Sequence, residues 1–104
     1  MLKLRGKQTR FLRSQAHHLT PIFQVGKGGV NEAMVTQIGE ALEKRELIKI
    51  SLLQNTDETV EEVAQVLEEE TYCTVVQTIG RVLVLYKPSS KEKYQRLSKE
   101  VKEI

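Results

Sequence analysis

The chain has no tryptophan, a single cysteine, two prolines and few aromatics, which make up 5% of its 104 residues. One cysteine, Cys73, cannot form an internal disulfide, so a disulfide-stapled scaffold is excluded and a reducing compartment is expected. No apolar run approaches the ~18 residues that a membrane span needs. The basic N-terminus is not followed by the ~7–15 apolar residues of a signal peptide, so a cytoplasmic protein without membrane contact is expected. The only histidines, His17 and His18, are adjacent and have no cysteine or acidic partner at ligand spacing, which argues against a metal site. No Ser/His/Asp or Cys/His arrangement can be drawn from the spacing, so no catalytic residue and no cofactor are expected. The run Glu68-Glu69-Glu70 reads as a solvated helix end.

One sign of charge is also missing from the start of the chain. No acidic residue precedes Glu32, whereas Lys3, Arg5, Lys7, Arg10, Arg13 and Lys27 all do. The middle, from Glu32 to Glu70, is heavily acidic, and the last third turns basic again, from Arg81 to Lys102. The formal net charge of +2 hides this division. A fold that gathers the two basic thirds makes one positive face, a common footprint of nucleic-acid binding. A solvated surface with clustered charges explains the same pattern as well.

A chain of this length fits one domain. Leu4 to Leu19 has helical spacing, with a start near Lys7 because Gly6 is a poor helix residue. Leu4, Phe11, Leu12, Gln15, Ala16 and Leu19 share one face of that helix. Lys3, Lys7, Arg10, Arg13, Ser14 and His17 share the other. Pro21 ends it. A strand over Ile22–Val25 leads into Gly26-Lys27-Gly28-Gly29, and Asn31 caps a helix that runs to Lys44-Arg45. Gly39 inside this helix suggests close packing. Leu47–Leu53 reads as a central strand. Asn55–Glu58 caps a third helix whose apolar stripe is Val60, Val63, Ala64 and Leu67, with Glu58, Glu61, Glu62, Glu68 and Glu69 turned to water. Thr71–Gln77 and Val82–Tyr86 form a hairpin packed through Cys73, Val75, Val76, Ile79, Val82, Val84 and Tyr86. Ser89 and Glu92 have capping-box spacing and start a terminal helix that frays at its end. The first two strands, joined by a helix, are parallel and the last two antiparallel. The fold class is α/β (α+β): one compact domain, helix-strand-helix-strand-helix-strand-strand, on a four-stranded mixed sheet. Residues 1–88 form its body and residues 89–104 a charged helical tail.

The glycine stretch carries the chemistry. It is neither a Walker A motif nor Gly-x-Gly-x-x-Gly, but a Gly-x-x-Gly loop from Gly26 to Gly29 with Lys27 at its tip. KH domains clamp a nucleic-acid backbone with such a loop, although theirs joins two helices and this one joins a strand to a helix. A short glycine loop that only turns the chain is the plain alternative. The free N–H groups of a helix start, its dipole and a lysine favour anion binding. The tip is expected on the side of Arg13 and His17, away from the acidic helix.

Five stretches together resemble a known family: Leu12-Arg13 with Ala16-His17; Pro21 through Val30; Ala41-Leu42; Glu46-Leu47-Ile48-Lys49-Ile50; and Ile79 through Lys87. Over nearly its whole length the chain resembles the CRM domain in its stand-alone bacterial form, the YhbY-like RNA-binding proteins. The resemblance implies a mixed sheet similar to the C-terminal domain of translation initiation factor three. It also implies RNA binding through Gly26, Lys27, Gly28 and Gly29, with Arg13 and His17 on the first helix, Lys49 on the second strand and Arg81 on the last hairpin. Ribosomal RNA of large-subunit precursors is the implied partner, and ribosome assembly the implied process. Lys3, Lys7 and Arg10 extend the basic face, and a monomer is expected. Two alternatives stand beside this reading: a protein-interaction module on ribosomal or other assembly proteins, and a small enzyme that uses the loop for a mononucleotide.

Overall fold

The computed structural model describes residues 3–104. Its elements are α1 (Gly6–Ala16), β1 (Pro21–Val25), α2 (Glu32–Arg45), β2 (Leu47–Leu52), α3 (Val60–Thr71), β3 (Thr74–Ile79), β4 (Val82–Tyr86), a 3-10 turn (Glu92–Tyr94) and α4 (Leu97–Lys102). The expected element order holds.

Local chemistry sets most boundaries. The Asn31 side chain accepts the Met34 N–H at 2.8 Å, and Lys44 and Arg45 lie in the last turn of α2, where the helix dipole favours cations. α3 starts later than the acidic cluster before it suggests. Its cap is Thr59, which accepts the Glu62 N–H while the Glu62 carboxylate accepts the Thr59 N–H. This reciprocal pair satisfies two helix-end donors at once, which Asn55–Glu58 does not do. α3 also runs on to Thr71, so β3 begins at Thr74, and Cys73 is buried in the link between them. Gly80, at φ 58°, closes the β3–β4 turn.

The sheet order is β1-β2-β4-β3. β1 and β2 are parallel, and the β2–β4 and β3–β4 pairs are antiparallel. Side chains alternate across the sheet, so β2 feeds two cores. Ile48, Ile50 and Leu52 pack under α2 and α3 with Ile38, Leu42, Val63, Leu67, Leu83 and Leu85. Leu47 packs on the other face with Leu12 and Ala16 of α1, Val76, Val84, Tyr86 and Val101 of α4. Buried on both faces, β2 is the central strand that its composition suggests.

α1 does not cover its whole face of the sheet. Gln24, Ser51, Val82 and Ile79 are cross-strand neighbours in one row at the end where β1 meets the glycine loop, and none of them is buried. Ile79 is 52% exposed, so the expectation that it packs is corrected. The helix packs over the rows holding Leu47 and Val84 and leaves this last row uncovered.

The tail is bound more closely than a frayed helix. Glu46, fully buried, accepts N–H groups from Ser89 at 2.8 Å, Arg96 at 3.0 Å and Ser98 at 3.2 Å. Glu43 accepts from the Ser90 N–H and from the Ser89 and Ser90 hydroxyls. The Ser89 hydroxyl also accepts the Lys91 N–H, making a local turn rather than a helix cap, and α4 begins only at Leu97.

Candidate nucleic-acid interface

The Gly-x-x-Gly loop leaves β1 beside the segment that leaves β2, because the two strands are parallel and Val25 pairs with Leu52. The Leu53 N–H donates to the Val25 carbonyl at 2.8 Å. Inside the loop, the Gly29 N–H donates to the Gly26 carbonyl at 3.0 Å, closing a tight turn. Gly28 and Gly29 have φ of 96° and 65°, values that a side chain strongly disfavours.

The four loop residues divide into two kinds. Gly26 and Gly29 face the protein. A Cβ on Gly26 would lie 3.4 Å from the Leu53 side chain, and one on Gly29 would collide with the Glu58 carboxylate. Lys27 and Gly28 face outward, with no other group within 4 Å of where a Gly28 Cβ would stand. The outer glycines let the turn seat against the 53–58 segment. The inner pair leaves bare backbone and one ammonium open to a partner.

Glu58 is the residue that sequence reasoning missed. Its carboxylate accepts the Val30 N–H at 3.1 Å, so one donor near the start of α2 is already taken by an internal anion. The expectation that Glu58 points to water is therefore corrected, and so is the expectation that the loop lies away from the acidic helix. The cause is topological: parallel neighbours β1 and β2 deliver the loop and the entry to α3 to the same end of the sheet. Parallel pairing of the two strands is the only sign of this in the sequence, since Glu58 belongs to no motif.

The basic residues fall into two groups. Arg81 sits at the loop end of the sheet, where its Nε donates to the Leu52 carbonyl at 3.2 Å and its Nη2 to the Leu53 carbonyl at 2.8 Å. These neutral acceptors orient the guanidinium and leave its charge uncancelled. Lys3, Lys7, Arg10, Arg13 and His17 are all exposed, the last four along α1 and just past its end. Arg13 Nε also donates to the Val76 carbonyl at 2.9 Å, which ties α1 to β3. Lys49, on the α1 side of the sheet, donates to the Leu19 carbonyl at 3.0 Å and holds the turn between α1 and β1. The His17 and His18 rings meet edge to face, 5.3 Å apart. The structure thus brings Lys27, Gly28 and Arg81 to one end and puts the α1 cations on the sheet face that carries the uncovered row. Among the described residues no group of three His, Cys, Asp or Glu side chains is placed to hold a metal ion, and no helix is long and apolar enough to cross a membrane.

Comparison with known proteins places this arrangement in a family. The CRS1/YhbY (CRM) domain model matches residues 4–87. The chain is 62% identical over 90 residues to the "Probable RNA-binding protein YqeI" of Bacillus subtilis, covering 86% of this chain and 94% of the relative. It is 40% identical over 95 residues to an "RNA-binding protein" of Haemophilus influenzae, covering 91% and 96%. The solution structure of the hypothetical protein SAV1595 from Staphylococcus aureus superposes with a TM-score of 0.73 at 49% identity, covering 90% of this chain and 98% of that one. With its mixed four-stranded sheet, its Gly-x-x-Gly loop and a family match over most of its length, the chain belongs to the CRS1/YhbY (CRM) domain family.

Proposed function

We propose that this protein is a non-enzymatic RNA-binding protein of the cytoplasm, acting as a monomer on ribosomal RNA of large-subunit precursors during ribosome assembly. The observation that carries the reading is the division of the loop: Gly26 and Gly29 are packed inward while Lys27 and Gly28 stand open, at the end of the sheet where Arg81 is oriented by the Leu53 carbonyl. A phosphate backbone approaching Gly28 meets no side chain within 4 Å of where its Cβ would stand, with Lys27 next to it in the chain and Arg81 at the same end of the sheet. Lys3, Lys7, Arg10, Arg13 and His17 extend the contact along α1, and Lys49 lies on the same sheet face. The names of the curated relatives support RNA as the partner class. Residues 1–88 are the RNA-binding unit in this reading, and residues 89–104 a strap that completes its second core.

Titration of structured ribosomal RNA tests the reading. The Lys27→Ala/Gly28→Asp variant should bind at least tenfold more weakly than wild type at equal salt. Affinity should fall by roughly 0.7–0.9 log units per log unit of salt for each phosphate neutralised. Equal affinity of the two proteins, with unchanged circular dichroism, removes the loop from the interface.

A further inference from the structure

At the other end of the sheet from the glycine loop lies a cleft that this interface does not use. The turn after α1, the C-terminal end of α2 and the tail meet there, around a space of about 570 Å³. That volume lies in the range typical of small-ligand sites, roughly 300–1,000 Å³. Its apolar lining is Leu19, Leu47 and Leu97. Lys44, Arg45 and Arg96 also line it, against a single carboxylate, Glu100. Tyr94 completes the wall, half-buried, with the Lys93 ammonium 5.0 Å from its ring centroid.

The cleft is continuous with the edge of the sheet. A smaller hollow of about 170 Å³ shares Leu19, Arg45 and Leu47 with it and opens onto Ile22 and Lys49. Ile22 lies on β1, an edge strand of only five residues that ends at the glycine loop. At about 3.3 Å per residue, β1 spans roughly 17 Å. One polymer strand can therefore follow this edge from Lys27 to Arg45.

An aromatic ring on an apolar floor suits a nucleobase, and cations around the rim suit its phosphates. An inorganic anion has no use for the apolar floor. We propose that the cleft receives one nucleotide of a single-stranded RNA segment, its base against Tyr94 and its phosphates at Arg45 and Arg96. The proposal rests on the RNA-binding reading above and extends the contact to the far end of the domain. Glu46 contributes indirectly as a positioning residue: by accepting the Arg96 N–H it fixes where the Arg96 side chain enters the cleft.

The test is titration of fluorescein-labelled single-stranded RNA of random sequence, about 12 nucleotides long, against wild type and variants whose melting curves are checked. Tyr94→Leu should weaken binding about 5- to 150-fold, the loss that a base–aromatic stack carries, while Tyr94→Phe should bind as wild type. Arg96→Ala and Lys44→Ala/Arg45→Ala should each lower the salt slope, by about 0.7 for every phosphate that is no longer neutralised. RNA carrying 4-thiouridine should crosslink to the peptide containing Tyr94. If these variants bind as wild type while Lys27→Ala/Gly28→Asp loses affinity, the cleft proposal fails and the loop interface stands. Crosslinks confined to the loop have the same meaning. If wild type binds neither this RNA nor structured ribosomal RNA, the RNA-binding reading falls and takes the cleft with it.

Discussion

Replacing Glu46 should detach the tail without unfolding the domain. Its two carboxylate oxygens accept three backbone N–H groups, and all three donors belong to residues 89–98. A hydrogen bond to a charged group contributes about 1.5–3 kcal/mol, and a neutral one about 0.5–1.5. Simple addition overestimates the loss, because the three N–H groups return to water once the tail lifts. About 1–1.5 kcal/mol per bond then gives a cost of about 3–5 kcal/mol for Glu46→Ala. Glu46→Gln keeps one acceptor and turns an NH₂ toward a donor, so about 1.5–3 kcal/mol is expected. The backbone supplies an internal control. Glu46 has φ 65°, a conformation that costs a residue with a Cβ roughly 1–2 kcal/mol. Glu46→Gly should therefore be milder than Glu46→Ala by about 1 kcal/mol. Urea denaturation measures the cost, and amide hydrogen exchange at Ser89, Arg96 and Ser98 locates it. An Ala variant within about 1 kcal/mol of wild type, or unchanged exchange at those three amides, refutes the reasoning.

Other perturbations have defined signs. The close packing expected at Gly39 is not found, since a Cβ there meets nothing within 4 Å; Gly39→Ala, inside a helix, should therefore stabilise the protein by about 0.5–1 kcal/mol in thermal or urea unfolding. Glu58→Gln keeps an oxygen for the Val30 N–H and removes a negative charge beside the loop. A unit charge about 6 Å from a phosphate in water-like surroundings is worth about 0.7 kcal/mol, so RNA affinity at low salt should rise about threefold. Unchanged affinity would mean that no phosphate binds near the loop. Burial, and then the nearby Glu46 carboxylate, push the Tyr86 phenol from its ordinary value of 10 up to about 12. The folded state thus holds this proton more tightly than the unfolded chain, so its contribution is complete below about pH 10 and is lost as pH rises from 10 toward 12. Urea midpoints that stay flat from about pH 9 to 12 would contradict this.

Periodicity made much of the architecture legible. The stripes on α1, α2 and α3 and the two-sided apolar character of β2 predict the two cores, because side chains repeat with the period of their element. Asn31 marks a helix start through a single local hydrogen bond, which a sequence displays. What stayed hidden depends on residues far apart in the chain. Glu58 and Val30 lie 28 positions apart, and Glu46 and Ser98 lie 52 apart. A glutamate that accepts N–H groups from a distant segment looks the same in sequence as one facing water. The exposure of Ile79 was hidden for a related reason: alternation gives its face of the sheet, but the reach of α1 decides whether that face is covered. In the candidate interface the loop residues and the α1 cations were readable as types. The inward and outward division of the glycines required the 53–58 segment in place.

The strap also fixes where the ends of the domain lie. Gln8 Nε2 donates to the Val101 carbonyl at 2.9 Å, and the Arg5 guanidinium reaches the carbonyl of Ile104. The start of α1 and the end of α4 therefore meet. A linker from the end of α4 to the start of α1 would therefore have little space to cross, and the 53–58 segment that seats the glycine loop would stay whole. The same geometry lets the domain be spliced into a surface loop of a larger protein, with both junctions at one place and the Lys27-Gly28 tip left free.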